Sequence, residues 1–140
     1  MLQDGADAAA WHPTVPGEEE WVALRAAPQD VERVGVMPAE GVLSMAPMGE
    51  YDVIELSVFA HPTARVRWRF DEEETGAIGW VSPVGDAAEP SAAVVAVLVE
   101  AALDEAWQEG AETATTLVPA AAAAAYEAAG WKRVEEVSRG

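Results

Sequence analysis

The amino-acid sequence predicts an α/β (α+β) domain, with two C-terminal helices packed on a central mixed, mostly antiparallel sheet of about five to seven strands. The middle of the chain alternates apolar and polar residues, which is typical of strands. An apolar period typical of a helix runs over residues 91–109. A β-branched run and an alanine-rich run follow, so the C-terminal part has the order helix–strand–helix–strand.

The length of 140 residues fits one domain with its own hydrophobic core. Residues 1–20 contain Asp, Gly, Pro and Glu without an apolar period. We therefore expect a flexible acidic N-terminal arm, followed by a single domain over residues 21–140. The sequence has neither an apolar run of roughly 18 residues nor a basic segment followed by an apolar one near its start. These observations favour a cytoplasmic protein without a membrane span.

The formal net charge of −17 comes from 25 acidic and 8 basic residues. Such a charge repels phosphate, so we expect neither direct nucleic-acid binding nor docking on anionic membranes. Two interpretations remain open: the charge reflects an acidic soluble composition, or the surface recognises a basic protein partner. The chain has no cysteine, and His12 and His61 are far apart. Neither pattern suits a metal site, and we expect no bound metal.

The first part of the chain predicts short strands and one short helix. Pro28 suits a first helical turn, where its missing N–H costs nothing, so a helix is expected near Pro28–Val34. Turns are expected at His61–Thr63 and over residues 71–76. The expected strands are Trp21–Arg25, Val42–Met45, Tyr51–Ala60, Ala64–Phe70 and Ala77–Val81.

The strand at Ala64–Phe70 alternates strictly, with Val66, Trp68 and Phe70 predicted to face inward. The outward positions form an arginine stripe, which consists of Arg65, Arg67 and Arg69. The stripe either grips a phosphate, a cofactor or an acidic partner, or it pairs with carboxylates of the chain itself. These are Asp52 or Glu55 across the strands, or Asp71–Glu74 beyond the turn. The sequence favours cross-strand pairing, because the chain has so many carboxylates.

The C-terminal elements have clear start and stop signals. Ser91 is the expected N-cap of a helix that runs to about Glu109, and Gly110 is its expected C-cap. Thr113–Val118 is short and β-branched, which fits a buried parallel strand. Pro119 is expected to start the next helix and Gly130 to end it. A final strand is expected over Trp131–Val137.

Three segments carry a resemblance to a known family. They are Val97–Ala102 leading to Gly110-Ala111, the terminal Tyr126-Glu127-Ala128-Ala129-Gly130-Trp131, and Val22–Arg25 followed by Asp30. In this order and spacing, they resemble the long helix, the closing motif and the opening strand of GNAT-type N-acyltransferases. Most of the signal lies in residues 91–137, about a third of the chain.

The resemblance implies a GNAT-like sheet, acetyl-CoA as cofactor, and a small amine or a protein as acyl acceptor. It also implies that Tyr126 donates a proton to the thiolate that leaves after the amine attacks the thioester. The cofactor contacts it implies are Val81, Ser91, Ala92 and Ala93. An alternative is that Tyr126 and Trp131 simply pack the last helix on the sheet.

The sequence departs from the family pattern where the cofactor's pyrophosphate should bind. The stretch Pro90–Val95 has neither of the family's two glycines and no basic residue nearby, while Asp86 and Glu89 add negative charge. Two functions therefore remain open. One is an acyl-CoA-dependent N-acyltransferase or a catalytically degenerate relative of one. The other is a non-enzymatic acidic binding protein, such as an adaptor, inhibitor or assembly component.

A homodimer is a further possibility that the sequence raises. An exposed edge strand, or the segment with Met37, Met45 and Met48, is a candidate dimer surface. The alternative for these methionines is that they fill gaps in the core.

Overall fold

Alternating apolar residues build a single sheet in the computed structural model, which describes residues 21–71 and 74–134. The strands are β1 (Trp21–Ala26), β2 (Gly41–Met48), β3 (Tyr51–Val58), β4 (His61–Asp71), β5 (Thr75–Ile78), β6 (Ser82–Pro83), β7 (Thr113–Pro119) and β8 (Lys132–Arg133). Two α-helices, α1 (Ala92–Gln108) and α2 (Ala120–Ala129), and a 3₁₀ turn (Pro28–Asp30) complete the described elements.

The strand order is β2-β3-β4-β5-β7-β1-β8, and β6 pairs with the far end of β4. Among the described strands, β5 and β7 pair in parallel and every other pair is antiparallel. The parallel pair follows from the connection through α1, since a crossover of this length returns the chain in the same direction. The predicted fold class, a mixed and mostly antiparallel sheet with C-terminal helix–strand–helix–strand, is confirmed. The described sheet has eight strands rather than the predicted five to seven, because the short strand β6 had no signal in the sequence.

The core lies between the sheet and α1. The sheet contributes Leu24, Leu56, Val66, Trp68 and Ile78, each almost fully buried. The helix turns one face toward them, with buried residues at Val97, Leu98, Val99, Ala102, Leu103 and Ala106. This i, i+4 spacing is what the apolar period predicted.

The local signals at the ends of the helices lie within one residue of their predicted positions, since the C-cap of α1 is Glu109 rather than Gly110. The Ser91 hydroxyl accepts a hydrogen bond from the Val94 N–H at 3.3 Å and so caps α1. Gly110 and Gly130 follow the two helices with φ of +105° and +124°, a backbone conformation that favours glycine. Pro119 is the residue before α2 rather than its first helical residue. Its fixed φ of −62° suits either position.

The predicted turn at His61–Thr63 is wrong, because β4 already begins at His61. The chain reverses two residues earlier, at Phe59 and Ala60, both of which have positive φ. Val58 pairs directly with His61, so the loop is a two-residue hairpin whose twist matches the strands. The prediction failed because Pro62 is a turn signal in sequence but lies within an antiparallel strand here.

Phe70 was predicted to face the core but is 41% exposed. It pairs with Gly76 on β5, whereas β3 begins only at Tyr51 and pairs with β4 no further than Trp68. Phe70 therefore lies beyond the part of the sheet that is flanked on both sides.

The methionines do not fill gaps in the core, since Met37, Met45 and Met48 are 42%, 47% and 53% exposed. The two at Met45 and Met48 belong to the edge strand β2.

The predicted helix near Pro28–Val34 is also wrong, since only the 3₁₀ turn forms there. Residues 27–40, which we call the crossing segment, connect β1 to the opposite edge of the sheet. Their N–H groups find distant partners: Glu32 N–H donates to the Ala129 carbonyl at 2.7 Å, and Val34 and Gly35 donate to Glu100. These bonds replace the local ones that a helix needs.

The remaining boundaries follow the predictions with small shifts. β2 covers Gly41–Met48 rather than Val42–Met45. β5 covers Thr75–Ile78 rather than Ala77–Val81, so Thr75 and Gly76 lie in a strand and not in the turn predicted over residues 71–76. The final strand comprises Lys132–Arg133, and its predicted continuation beyond Val134 lies outside the described residues, as does the predicted arm over residues 1–20. Neither α1 nor α2 combines the length and apolarity that a membrane-crossing helix needs.

The closest contact between β5 and α1 leads to the first prediction. A Cβ added at Gly76 lies 2.6 Å from the Ala106 Cβ, so Gly76→Ala should lower the free energy of unfolding by about 1–3 kcal/mol. Adding Ala106→Gly removes the clash, so the loss in the double variant should be at least about 1 kcal/mol smaller than the sum of the two single losses. Urea unfolding of the three variants measures this, and additive losses would contradict the contact.

Candidate functional site

The two parallel strands separate after a short stretch of pairing. Their pairing ends at Ile78 and Thr116, where the buried Thr116 hydroxyl donates a hydrogen bond to the Ile78 carbonyl at 2.9 Å. The Thr116 side chain thereby satisfies the carbonyl of the last paired residue of β5. This carbonyl lies in the interior, where a missing hydrogen bond is costly. The end of the pairing is therefore fixed by a specific contact.

An irregularity on the β4 side bends the chain at the same point. Ile78 pairs with Trp68, and Ser82 pairs with Arg65, so four residues after Ile78 correspond to three on β4. The extra residue is a β-bulge within Gly79–Val81, and bulges bend a strand and often lie beside functional sites. Together, the bulge and the end of pairing leave a gap between β5 and β7.

A cavity of about 350 Å³ lies beside this bulge, between α1 and α2. Its walls come from α1, from α2, from Trp80 and Val81 in the bulge, and from Val31, Glu32 and Val34 of the crossing segment. Because both helices line one cavity, they lie on the same face of the sheet. The wall residues of the two helices are mostly small: Ala92, Val95, Ala96 and Val99 from α1, and Ala122, Ala125, Tyr126 and Ala129 from α2. Small side chains on facing helices leave the volume that larger ones would fill.

Tyr126 lies in the cavity wall and is only 8% exposed. Its ring packs against Trp131 with a centroid distance of 5.9 Å, so the packing role considered for the pair is present. Its hydroxyl is buried and has no hydrogen-bond partner among the described residues. Burial raises the pKa of Tyr126 well above its ordinary value, so the phenol is neutral at physiological pH.

The residues predicted to contact a cofactor divide into two groups. Val81 and Ala92 line the cavity, whereas Ser91 and Ala93 are not among its wall residues. Ser91 instead caps α1, and its hydroxyl already occupies the Val94 N–H. The geometry thus brings Val81, Ala92 and Tyr126 together around one space.

The residues around this space do not fit the phosphates of coenzyme A. A phosphate at a helix N-terminus needs free N–H groups, close approach of the backbone and positive charge. No glycine opens α1, Val95 lines the wall, and Glu89 precedes the helix at the same wall. The sequence has no Lys, Arg or His between Arg69 and Lys132, so neither the bulge nor the two helices supply a cation.

Three carboxylates line the cavity and were not predicted as site residues: Glu32, Glu89 and Glu100. Glu32 and Glu89 are exposed, whereas Glu100 is half-buried. Glu100 holds the crossing segment, because its Oε2 accepts hydrogen bonds from the N–H groups of Val34 at 2.6 Å and Gly35 at 2.9 Å. Gly35 approaches α1 closely, since a Cβ added to it would lie 2.6 Å from the Val97 backbone N. A glycine in this segment was therefore the one sequence signal of a close backbone approach.

The arginine stripe lies on the other face of the sheet, because it alternates with the core residues of β4. Arg65 pairs with Glu55 at 3.2 Å, which confirms the predicted cross-strand pairing. Arg69 lies 3.7 Å from Glu50 and over the Tyr51 ring. None of the three arginines lines the cavity. Within residues 21–71 and 74–134, no three His, Asp or Glu side chains group as metal ligands.

Solved structures with the same architecture are GNAT proteins. A GCN5-related N-acetyltransferase from Kribbella flavida matches with a TM-score of 0.61 and 13% identity, over 80% of this chain. An acetyltransferase assigned to the GNAT family from Novosphingobium aromaticivorans matches with a TM-score of 0.53 and 11% identity, over 81% of this chain. This chain spans 53% and 61% of their lengths. No protein-family model and no curated protein matches the sequence.

The chain therefore has a GNAT-type fold, as the resemblance in its C-terminal third implied. Identities of this size establish the architecture, and the chemistry of the site has to be argued from this chain's own residues.

Glu100 should stabilise the fold through the crossing segment. Replacing it with Ala removes the acceptor for two N–H groups, and we expect the free energy of unfolding to fall by about 1–2 kcal/mol. Glu100→Gln keeps an acceptor oxygen and should lose less. The control is Glu105→Ala on the same helix, with an expected change within about 0.5 kcal/mol. Equal effects of Glu100→Ala and Glu105→Ala in urea unfolding would refute the anchoring role.

The buried phenol predicts a specific response to alkaline pH. A folded-state pKa above the unfolded one means that the unfolded chain releases the proton first, so stability is fully present below about pH 10 and is lost as pH rises further. The slope from this group is about 1.4 kcal/mol per pH unit. Tyr126→Phe should remove that slope, and near neutral pH it should cost little, because the hydroxyl has no partner to lose.

Urea midpoints of the parent and Tyr126→Phe proteins between about pH 8 and pH 11 measure this difference. Curves that fall in parallel above about pH 10 would show that Tyr126 is not responsible.

Proposed function

We propose that this chain is a catalytically degenerate GNAT-fold protein that binds an apolar small molecule in the cavity between α1 and α2. The observation that carries the proposal is the cavity itself, which lies between α1, α2 and the bulge, while the start of α1 lacks the glycines and the cation that a phosphate needs. A space filled by side chains would have favoured a purely structural role.

The size and chemistry of the cavity suit a small ligand. Ligand pockets commonly have volumes of about 300–1,000 Å³ and mostly apolar walls with a few polar groups, and this cavity of about 350 Å³ has that character. The alanine and valine side chains of α1 and α2 provide the apolar surface. Tyr126 also lines the wall, and its buried hydroxyl has no hydrogen-bond partner among the described residues.

A second candidate is an acyl-CoA-dependent N-acyltransferase, which the placement of Tyr126 favours. Its neutral phenol can hold a proton, and the names of the two structural neighbours describe acetyltransferases. The missing cations and glycines at α1 argue against this candidate. We derive no catalytic step through coenzyme A, since its phosphates have no complementary site.

Titration with acetyl-CoA, by calorimetry and thermal shift, separates the two candidates. The degenerate protein should show no binding up to roughly millimolar acetyl-CoA. Roughly micromolar binding would overturn that proposal and support the transferase, in which Tyr126→Phe should lower turnover by about 10²-fold or more without unfolding the domain.

Recognition of a basic protein partner, formation of a homodimer and a cytoplasmic location stay predictions. The net charge motivates the first, and the exposed edge strand β2 motivates the second. A salt-sensitive complex with a basic protein would support the former.

Ligand binding is tested with N-phenyl-1-naphthylamine, a neutral apolar dye whose fluorescence rises in an apolar site. The parent protein should bind it saturably, and Ala122→Leu should weaken binding by about tenfold or more, because the longer side chain enters the cavity. Ala124→Leu is the matched control, since Ala124 is exposed on the same helix and is not a wall residue. Its affinity should equal that of the parent.

Two outcomes contradict the proposal. One is the lack of any saturable binding by the parent protein. The other is equal weakening in Ala122→Leu and Ala124→Leu, which would place the dye elsewhere.

A further inference from the structure

We infer that the cavity selects a hydrophobic organic cation over neutral or anionic molecules of the same shape. The inference rests on the proposed function, because it names the class of ligand that the proposed cavity takes. It follows from three features of the wall: its aromatic rings, its carboxylates and the lack of a cation among its described residues.

The aromatic feature comes from three residues on three different elements. Trp80 in the bulge, Tyr126 on α2 and Trp131 after α2 all line the cavity. Trp131 and Tyr126 are almost fully buried, so their positions are held by packing. Aromatic faces attract organic cations such as quaternary ammonium groups through their ring quadrupoles, and the attraction is stronger where water is excluded.

All the charged residues of the wall are negative. Glu32 and Glu89 reach the wall from the crossing segment and from the loop before α1, and both are exposed. Glu100 is engaged with the N–H groups of Val34 and Gly35, which leaves the first two as the carboxylates available to a ligand. The unpartnered, buried hydroxyl of Tyr126 adds a neutral polar group to the same wall.

No described wall residue is Lys, Arg or His. Arg33, which stands between the wall residues Glu32 and Val34 in the sequence, pairs with Asp104 at 2.9 Å. An anionic ligand would therefore meet like charge at the entrance without any compensating cation. This is the reverse of what the phosphates of coenzyme A require at the N-terminus of α1.

Phenyltrimethylammonium and tert-butylbenzene provide a matched pair of probes, because they share one shape and differ by one positive charge. The cation has no N–H, so its binding reports recognition independently of any acyl transfer. Benzenesulfonate serves as the anionic counterpart. Each compound is added at about 0.15 M salt, where long-range surface fields are screened, and displacement of bound N-phenyl-1-naphthylamine is measured.

The expected result is that phenyltrimethylammonium displaces the dye and benzenesulfonate does not. In the double variant Glu32→Gln/Glu89→Gln, the affinity for the cation should fall by about three- to tenfold, whereas tert-butylbenzene should bind as before. Glu109→Gln is the charge control, because Glu109 is exposed beyond the end of α1 and is not a wall residue.

Three results would overturn the inference, and they are distinguishable. If tert-butylbenzene displaces the dye and the cation does not, the cavity takes neutral ligands and the proposed function stands. If Glu109→Gln weakens binding of the cation as much as the double variant does, the preference for the cation comes from the overall charge of the protein rather than from the wall. If the dye itself does not bind, the proposed function fails and this inference fails with it.

Discussion

The separation of β5 from β7 after the Ile78–Thr116 pair is the constraint on which the rest of the site depends. Thr116 is buried, and its hydroxyl bond to the Ile78 carbonyl satisfies the last ladder position without requiring a further paired residue. The bulge follows, and its residues Trp80 and Val81 line the cavity together with both helices.

The alanines of α2 have two physical consequences that belong together. Alanine has the highest helix propensity, which favours this short helix of 10 residues. Alanine also buries little area, so a helix made of it leaves space beside its neighbours. The larger buried side chains belong instead to the sheet and to α1, as Trp68, Leu98 and Leu103 show. The protein thus separates the part that stabilises the fold from the part that provides volume.

The C-terminal half was predictable from sequence because its signals are local. The Ser91 cap, the glycine at 110 and the β-branched run of β7 each act within a few residues of where they occur. The crossing segment was not predictable, because Glu100 lies more than 60 residues away along the chain and determines its path. The sequence of Pro28–Val34 allows a helix, and distant partners override that preference.

The same distinction between local and distant contacts separates the site residues that could be predicted from those that could not. Tyr126 could be singled out from its position in a terminal motif, and Val81 and Ala92 from the expected cofactor path. Glu32 and Glu89 could not, since they reach the wall from loops whose course depends on tertiary contacts. The bulge had no sequence signal that we used, although Gly79 lies within it and glycine in a strand often marks one.

The fold and the ligand class depend on different residues, which explains how the architecture can match GNAT structures while the cofactor site does not. Gly76 and Thr116 are fixed by close contacts in the interior, so changing them costs stability. Glu32, Glu89 and Ala92 are exposed, and substitutions at such positions usually change stability by no more than about 0.5 kcal/mol. The charge at the cavity can therefore be reversed with little effect on the sheet. For this reason, a shared fold at 13% identity establishes the architecture alone, and the ligand class has to be argued from the residues of this chain's own wall.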